Sequence, residues 1–343
     1  MLQVQIVLFD GFDLLDALAP YEVFCATEMY AENAIGVELV TAEGPRSVAS
    51  GTKGLIIEAS GRLNPEQAGI ILVPGASGDV KGEGPDSPPV ILSRAMNTEL
   101  TGMIGQALEQ KDIIVATVCG GSLLLAMGGL LENRPAVTHH MGMGALGATG
   151  AIPVRARLVD DGNLVTGGGV TSGLDVALYL VERELGPRIA LAVEQLFEYE
   201  RKGTVWREEG IMPSSHIEVP DEDTNIEANK VEMTYTKDIK KTEESDFNGD
   251  WDATIATPVG KLEVRLSISI SNGTIQGKAT QGDEVVEFIT PLIQGNNLTW
   301  SLRITKPMRL NLKFEVDVDG DQMTGIAKAG ILPASKLTGK RIF

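Results

Sequence analysis

The sequence predicts an α/β domain built on a mostly parallel sheet, followed by a small antiparallel β-barrel. Three observations carry this. Over the first 205 residues, short and almost wholly apolar runs alternate with helical patterns, as in βαβ units with helices on both faces of a parallel sheet. From Phe247 onward, about eight runs alternate apolar and polar residues with a period of two, as in an up-and-down barrel. Between these parts, Glu208 to Asp246 is rich in charge, holds two prolines and shows little periodicity. The predicted division is therefore an α/β domain over 1–205, a linker over 206–246 and a barrel over 247–343.

In chain order, Gln3–Phe9 (QVQIVLF) reads as a buried central strand and Ala19–Ala31 as a helix. Gly36–Thr41 is a strand, and Gly69–Val73 (GIILV) another, closed by Pro74-Gly75. Pro89–Gln110 is helical, with proline at its start, where a missing N–H costs nothing. Asp112–Val118 (DIIVATV) is a strand, Gly120–Gly128 a helix and Asn163–Thr166 a short strand. Thr171–Glu184 and Arg188–Phe197 are helices. In the second part the strands include KLEVRLSISIS, GTIQGKAT, EVVEFITPL, LTWSLRI, LNLKFEVDV and QMTGIAKA. Turns fall at Ser271-Asn272-Gly273, Gly295-Asn296-Asn297 and Asp319-Gly320-Asp321, where Asn, Asp and Gly accept positive φ.

Composition narrows the function classes. The 343 residues carry a net charge of -18, shared by both parts, which disfavours nucleic acid and anionic membrane as partners because phosphate binding needs clustered cations. Only Cys25 and Cys119 occur, so no disulfide scaffold is expected and a reducing cytoplasm is the expected compartment. Met1 to Leu8 lacks a basic n-region, so no signal peptide is expected, and no apolar run is long enough to predict a membrane span. The barrel segment has no Cys and no His, so the chemistry is expected in the first part.

The segment that draws attention is Val115–Met127, VATVCGGSLLLAM. A strand runs into Cys119, then two glycines, then an amphipathic helix. This is the pattern of a nucleophile elbow, a sharp strand-to-helix turn that exposes one side chain above the sheet. A helix N-terminus next to Cys119 is expected to favour its thiolate. A small buried cysteine ending a strand fits the local pattern equally well. Gly167-Gly168-Gly169 lacks the lysine and spacing of a phosphate loop and the fingerprint of a dinucleotide site. The histidines are His139, His140 and His216; an adjacent pair without Cys or acidic spacing does not predict a metal.

Together, LFDGFDLLDALAPYEVF (8–24), VPGA (73–76), VATVCGGSLLLAMGGLL (115–131), THH (138–140), ARLVDDGNLVTGGGVTSGLDVAL (156–178) and EQLFEYE (194–200) resemble the ThiJ/PfpI superfamily. This resemblance covers about residues 3–200 and implies the class I glutamine amidotransferase-like fold, a flavodoxin-like sandwich. The branch it is most similar to is that of the isonitrile hydratases, with related ligand-binding domains in transcription regulators. The resemblance implies that Cys119 is the nucleophile and that Asp16, in LLDALAP, is the carboxyl group that hydrogen-bonds it. It implies oxyanion donors from the backbone of Gly75 or Ala76 and of Gly120, and a pocket wall formed by His139, His140, Gly168, Gly169, Val170 and Thr171. Asp10 and Asp13 read as loop acids, Glu22 as a solvated helix charge, Cys25 as packing and Asp175 as structural.

Two departures from the hydratase pattern stand out. Gly120 replaces a threonine whose hydroxyl contacts the site, and His140 replaces a tryptophan. The peptidase branch places His after the cysteine, where this chain has Gly120. The polar loop Ser77–Pro89 (SGDVKGEGPDSPP) is expected to act as a mobile lid. The resemblance implies a cofactor-independent enzyme that hydrates an isonitrile to an N-substituted formamide, with no metal, a small-molecule substrate and a homodimeric assembly. The alternatives are a glyoxalase or deglycase activity, or a non-catalytic small-molecule or redox sensor. The second part loosely resembles lipocalin-like β modules, which implies no activity.

Overall fold

The computed structural model describes the chain except for residues 80–83, 212–245, 258–259, 272–273, 283, 306–308, 330–333 and 343. The first part contains, in order, β1 (Leu2–Val7), α1 (Leu14–Tyr30), β2 (Ile35–Thr41), β3 (Arg46–Ala49), β4 (Ile56–Ala59), β5 (Gly61–Arg62) and β6 (Gly69–Val73). There follow α2 (Pro88–Met96), α3 (Glu99–Leu108), β7 (Ile113–Thr117), α4 (Gly121–Met127), β8 (Pro135–Ala136), α5 (Met143–Ala148) and β9 (Ile152–Pro153). Last come β10 (Leu158–Asp160), β11 (Leu164–Gly167), α6 (Ser172–Leu185), α7 (Pro187–Phe197) and β12 (Val205–Trp206).

Eight of these strands form one sheet in the order β12-β10-β11-β7-β6-β1-β2-β5. All its pairings are parallel except β10 with β11. The central strands β6 and β7 are buried along their whole length, which explains their unbroken apolar sequences. Helices α1, α6 and α7 pack together as one layer, and α2 to α5 as a second. No helix of the described residues is long and apolar enough to cross a membrane.

The predicted helix Pro89–Gln110 is two helices, α2 and α3. Thr98 ends the first and starts the second: its Oγ1 accepts the Leu100 N–H at 3.3 Å, and the Asn97 side chain donates to the Ser93 carbonyl at 2.8 Å. Such side chains offer the backbone partners outside the helical ladder, which breaks a continuous helix. The predicted helix Ala19–Ala31 begins five residues earlier, at Leu14, because Asp13 caps it by accepting the N–H groups of Leu15 and Asp16. Pro20 therefore lies inside α1; lacking an N–H, it leaves the Asp16 carbonyl without its helical donor.

The second part is a nine-stranded antiparallel sheet that curls into a nearly closed barrel. Its strands are β13 (Gly249–Thr257), β14 (Gly260–Ser271), β15 (Thr274–Gln281), β16 (Glu284–Glu287), β17 (Ile289–Gln294), β18 (Asn297–Ile304), β19 (Leu310–Asp319), β20 (Gln322–Lys328) and β21 (Ser335–Ile342). The order β16-β15-β14-β13-β21-β20-β19-β18-β17 puts two strands adjacent in sequence at its two ends. Phe288, between them, bridges the seam. Its N–H donates to the Gly277 carbonyl at 2.8 Å, and its ring lies where a Gly277 side chain would stand, 2.2 Å from an ideal Cβ. The same ring stacks on Trp300 at 4.4 Å between centroids, and Trp300 stacks on Phe314 at 4.8 Å. Most of the predicted linker and the predicted Asn272-Gly273 turn, together with His216, lie outside the described residues, as do residues 80–83 of the polar loop.

Candidate active site

Strand β7 delivers Cys119 to the C-terminal edge of the sheet and α4 begins two residues later. The turn between them is forced. Cys119 has φ of +55°, in the left-handed region that costs an L-residue about 1 to 2 kcal/mol. Four hydrogen bonds hold it there. The Cys119 N–H is shared between the carbonyls of Gly167 at 3.1 Å and Gly168 at 2.8 Å. Its carbonyl accepts the Thr138 hydroxyl at 2.8 Å and the Ser122 hydroxyl at 3.2 Å. Thr138 and Ser122 have no chemical signature in the sequence; the only available cue to them was position, one beside the histidine pair and one three residues past the cysteine.

Two glycines near the elbow are dictated by space. A Cβ at Gly121 would lie 2.2 Å from the Val73 carbonyl oxygen, and one at Gly75 would lie 2.5 Å from the Gly120 nitrogen and 2.8 Å from Asp16 Oδ2. Gly120 differs. A Cβ there would meet Leu92 Cδ1 at 3.1 Å, the far end of a flexible side chain, and Ala76 N at 3.7 Å. The tip of Leu92 of α2 thus lies against the position of a side chain at 120 and would have to give by a few tenths of an ångström.

Asp16 comes from the first turn of α1 and is fully buried. Its Oδ2 accepts the Gly75 N–H at 3.0 Å, while Oδ1 is buried without a hydrogen-bond partner among the described residues. Burial above all, and then the charge of Asp13, push this carboxyl up to about 8; the Gly75 N–H and the neighbouring Cys119 thiol pull it part of the way back. Burial also pushes the Cys119 thiol up to about 12, helped by the charge of Asp16 and opposed by the N–H groups of Val170 and Gly120. The thiolate expected from the helix N-terminus is therefore outweighed by desolvation. At neutral pH the site holds a carboxylic acid beside a thiol.

The structure brings most of the expected residues together. Val170 and Gly120 present N–H groups to the sulfur. The His139 ring packs on Gly169, 2.7 Å from where a Gly169 Cβ would lie, and its Nδ1 accepts the Met141 N–H at 3.3 Å. Burial and then the adjacent His140, 4.2 Å away between ring centroids, lower the His139 pKa. Three residues sit differently from the expectation. The Gly75 N–H is engaged by Asp16, which leaves Ala76 as the other backbone donor of that pair. Thr171 is exposed and its hydroxyl accepts from Arg157 at 3.2 Å, so it braces the turn. His140 is exposed.

Behind the turn, Asp175 is buried and fully bonded. It accepts from Arg157 Nε at 2.8 Å, the Tyr199 hydroxyl at 2.9 Å and the Lys202 N–H at 2.7 Å. Arg157 also receives the Gly168 N–H on its carbonyl at 3.0 Å, so one residue braces both ends of the 168–171 turn. Cys25 is half-buried beside Tyr21, away from this cluster, with its thiol pushed up by burial. Among the described residues, no three His, Cys, Asp or Glu side chains are grouped to hold a metal ion.

Comparison with known proteins places these features in context. The DJ-1/PfpI family model matches residues 2–183. An isonitrile hydratase of Pseudomonas putida is 33% identical over 199 residues, 58% of this chain and 78% of that protein. The HTH-type transcriptional regulator GbdR of Pseudomonas aeruginosa is 33% identical over 98 residues, and this match spans 28% of this chain and only 27% of the regulator. Among solved structures, a THiJ/PfpI family protein from Pseudomonas syringae superposes with a TM-score of 0.48 at 26% identity, covering 58% of this chain and 76% of that one.

Proposed function

This chain belongs to the DJ-1/PfpI family, and from that premise we propose that it hydrates an isonitrile, using Cys119 as nucleophile and Asp16 as proton relay. The observation that carries the reading is the buried pair itself: the Asp16 carboxyl beside the Cys119 thiol at a strained elbow, both pushed toward their protonated forms by burial.

That pairing suits the reaction. An isonitrile carbon must gain both a proton and a nucleophile. Asp16 gives its proton to that carbon as the sulfur bonds to it, and the thiol proton passes to Asp16. The product is a thioimidate, with one hydrogen on the former isonitrile carbon. Water adds to this carbon, the C–S bond breaks, the sulfur recovers a proton and an N-substituted formamide leaves. Isonitrile and water are consumed in equal number and the enzyme returns to its starting protonation state. The Gly120 and Val170 N–H groups lie where they stabilise negative charge on sulfur during the transfer. A homodimer is part of the same proposal.

Incubation with cyclohexyl isocyanide tests it. Formamide should form, Cys119→Ala should abolish turnover, and Asp16→Asn should slow it by about 100-fold or more. Undiminished formamide from Cys119→Ala would end the proposal. Methylglyoxal in a parallel reaction separates a glyoxalase-type activity.

A sensor is the second reading. Similarity to a transcriptional regulator favours it, whereas burial that holds the thiol protonated works against oxidation of Cys119. Oxidation of Cys119 by low peroxide without any turnover of isonitriles would select it.

A further inference from the structure

We propose that the barrel is an intramolecular clamp on the helix that carries the elbow, fastened by Glu132 held between Arg303 and Arg309. A helix leaves the carbonyl groups at its C-terminus without intrahelical donors, and those of α4 find partners in the following turn and in the barrel. The Leu124 carbonyl accepts the Gly128 N–H, that of Leu125 the Leu130 N–H and that of Ala126 the Gly129 N–H. The Met127 carbonyl accepts the N–H of Arg309, at 3.1 Å, from the edge of the barrel. The last turn of α4 is therefore completed by a residue 182 positions further along the chain.

The side chains around this bond agree with it. Gly129 has φ of +81° and no side chain, and a Cβ there would lie 3.0 Å from Arg309 Nη1, so the guanidinium lies across the turn. Arg309 then donates to Glu132 Oε2, and Arg303 Nη1 lies 3.0 Å from Oε1 of the same carboxylate. Asn311 accepts from Arg303 Nε at 3.3 Å, and its side-chain nitrogen stands 3.4 Å from where a Gly150 Cβ would be, at the end of α5. Two cations from the barrel thus straddle one anion of the α/β domain, and one of them lies at the negative end of a helix dipole.

The placement says what the barrel does. Helix α4 has seven residues and spans about 10 Å. Cys119 precedes one end and the barrel grips the other, so the barrel anchors the nucleophile helix from behind. Among the described residues the contact includes one carboxylate held by two guanidinium groups, which a charge reversal at 132 would oppose.

The test uses the full chain. Glu132→Arg places three cations together and should release the barrel: NMR relaxation should show two bodies tumbling independently, and amide exchange over residues 127–131 should quicken by about tenfold. The charge-swapped variant, Glu132→Arg with Arg303→Glu and Arg309→Glu, should restore slow exchange and common tumbling. If Glu132→Arg does not fold, the double variant Arg303→Gln with Arg309→Gln, which alters only barrel side chains, decides in its place. Continued tumbling as one body, unchanged exchange over 127–131, or failure of the swap to restore both overturns the proposal.

Discussion

Burying Asp16 under the first turn of α1 makes the folded state favour the neutral carboxyl, and this links stability to pH. The folded value of about 8 stands above the ordinary value of 3.8, so the folded chain binds more protons between these pH values. The stabilising effect is complete below about pH 4 and is lost as pH rises through 8, where a buried charge must be tolerated; the whole effect is on the order of 5 kcal/mol. Thermal melts from pH 4.5 to 8.5 should therefore show a falling midpoint attributable to this residue, and Asp16→Asn should flatten that slope. A variant whose slope equals that of the parent would show that Asp16 is ionised throughout. The residue was legible in the sequence only through family resemblance. Asp13, which read as a loop acid, takes the cap, and this frees Asp16 to face the thiol.

At the scale of elements, the elbow is a backbone device. Its two glycines share one sequence signal but not one physical reason. Gly121→Ala drives a methyl group to 2.2 Å from the Val73 carbonyl oxygen and should cost about 2 to 4 kcal/mol in urea unfolding. Gly120→Thr meets only the tip of Leu92 at 3.1 Å and should cost less than about 1.5 kcal/mol, while adding a hydroxyl beside the sulfur. Equal losses in the two variants would refute this distinction. The strand, turn and helix were readable from VATVCGGSLLLAM because the apolar run and the glycines encode them. The clamp on the Cys119 carbonyl was not, since Thr138 reaches it from 19 residues away. The Asn97–Thr98 break between α2 and α3 was also missed, because the apolar periodicity continues across it.

At the scale of the whole molecule, the chain builds two hydrophobic cores. One gathers the central strands and helices around residues such as Ile71, Val115 and Leu178. The other fills the barrel around Trp251, Trp300 and Phe314. Among the described residues, none of the buried ones belongs to both. Calorimetry should resolve two transitions, and Phe314→Ala should lower only the barrel's, by about 3 to 5 kcal/mol, since it removes a fully buried ring from a stacked set. A shift of both transitions together would show that the cores unfold as one unit.

Apart from the short strands β3, β4, β5, β8, β9, β10 and β12, helix α5 and the break between α2 and α3, the strands and helices of the first part are legible in sequence, as are the alternation that curls the second into a barrel and the cysteine at the end of β7. These follow from periodicity, turn residues and glycine spacing, all properties of neighbouring positions. Tertiary structure alone decided the rest. It set the protonation of Asp16 and Cys119, because desolvation depends on what surrounds a group and not on what adjoins it in the chain. It set the partners of the Cys119 carbonyl and the seating of the barrel on α4, because both join residues far apart in sequence.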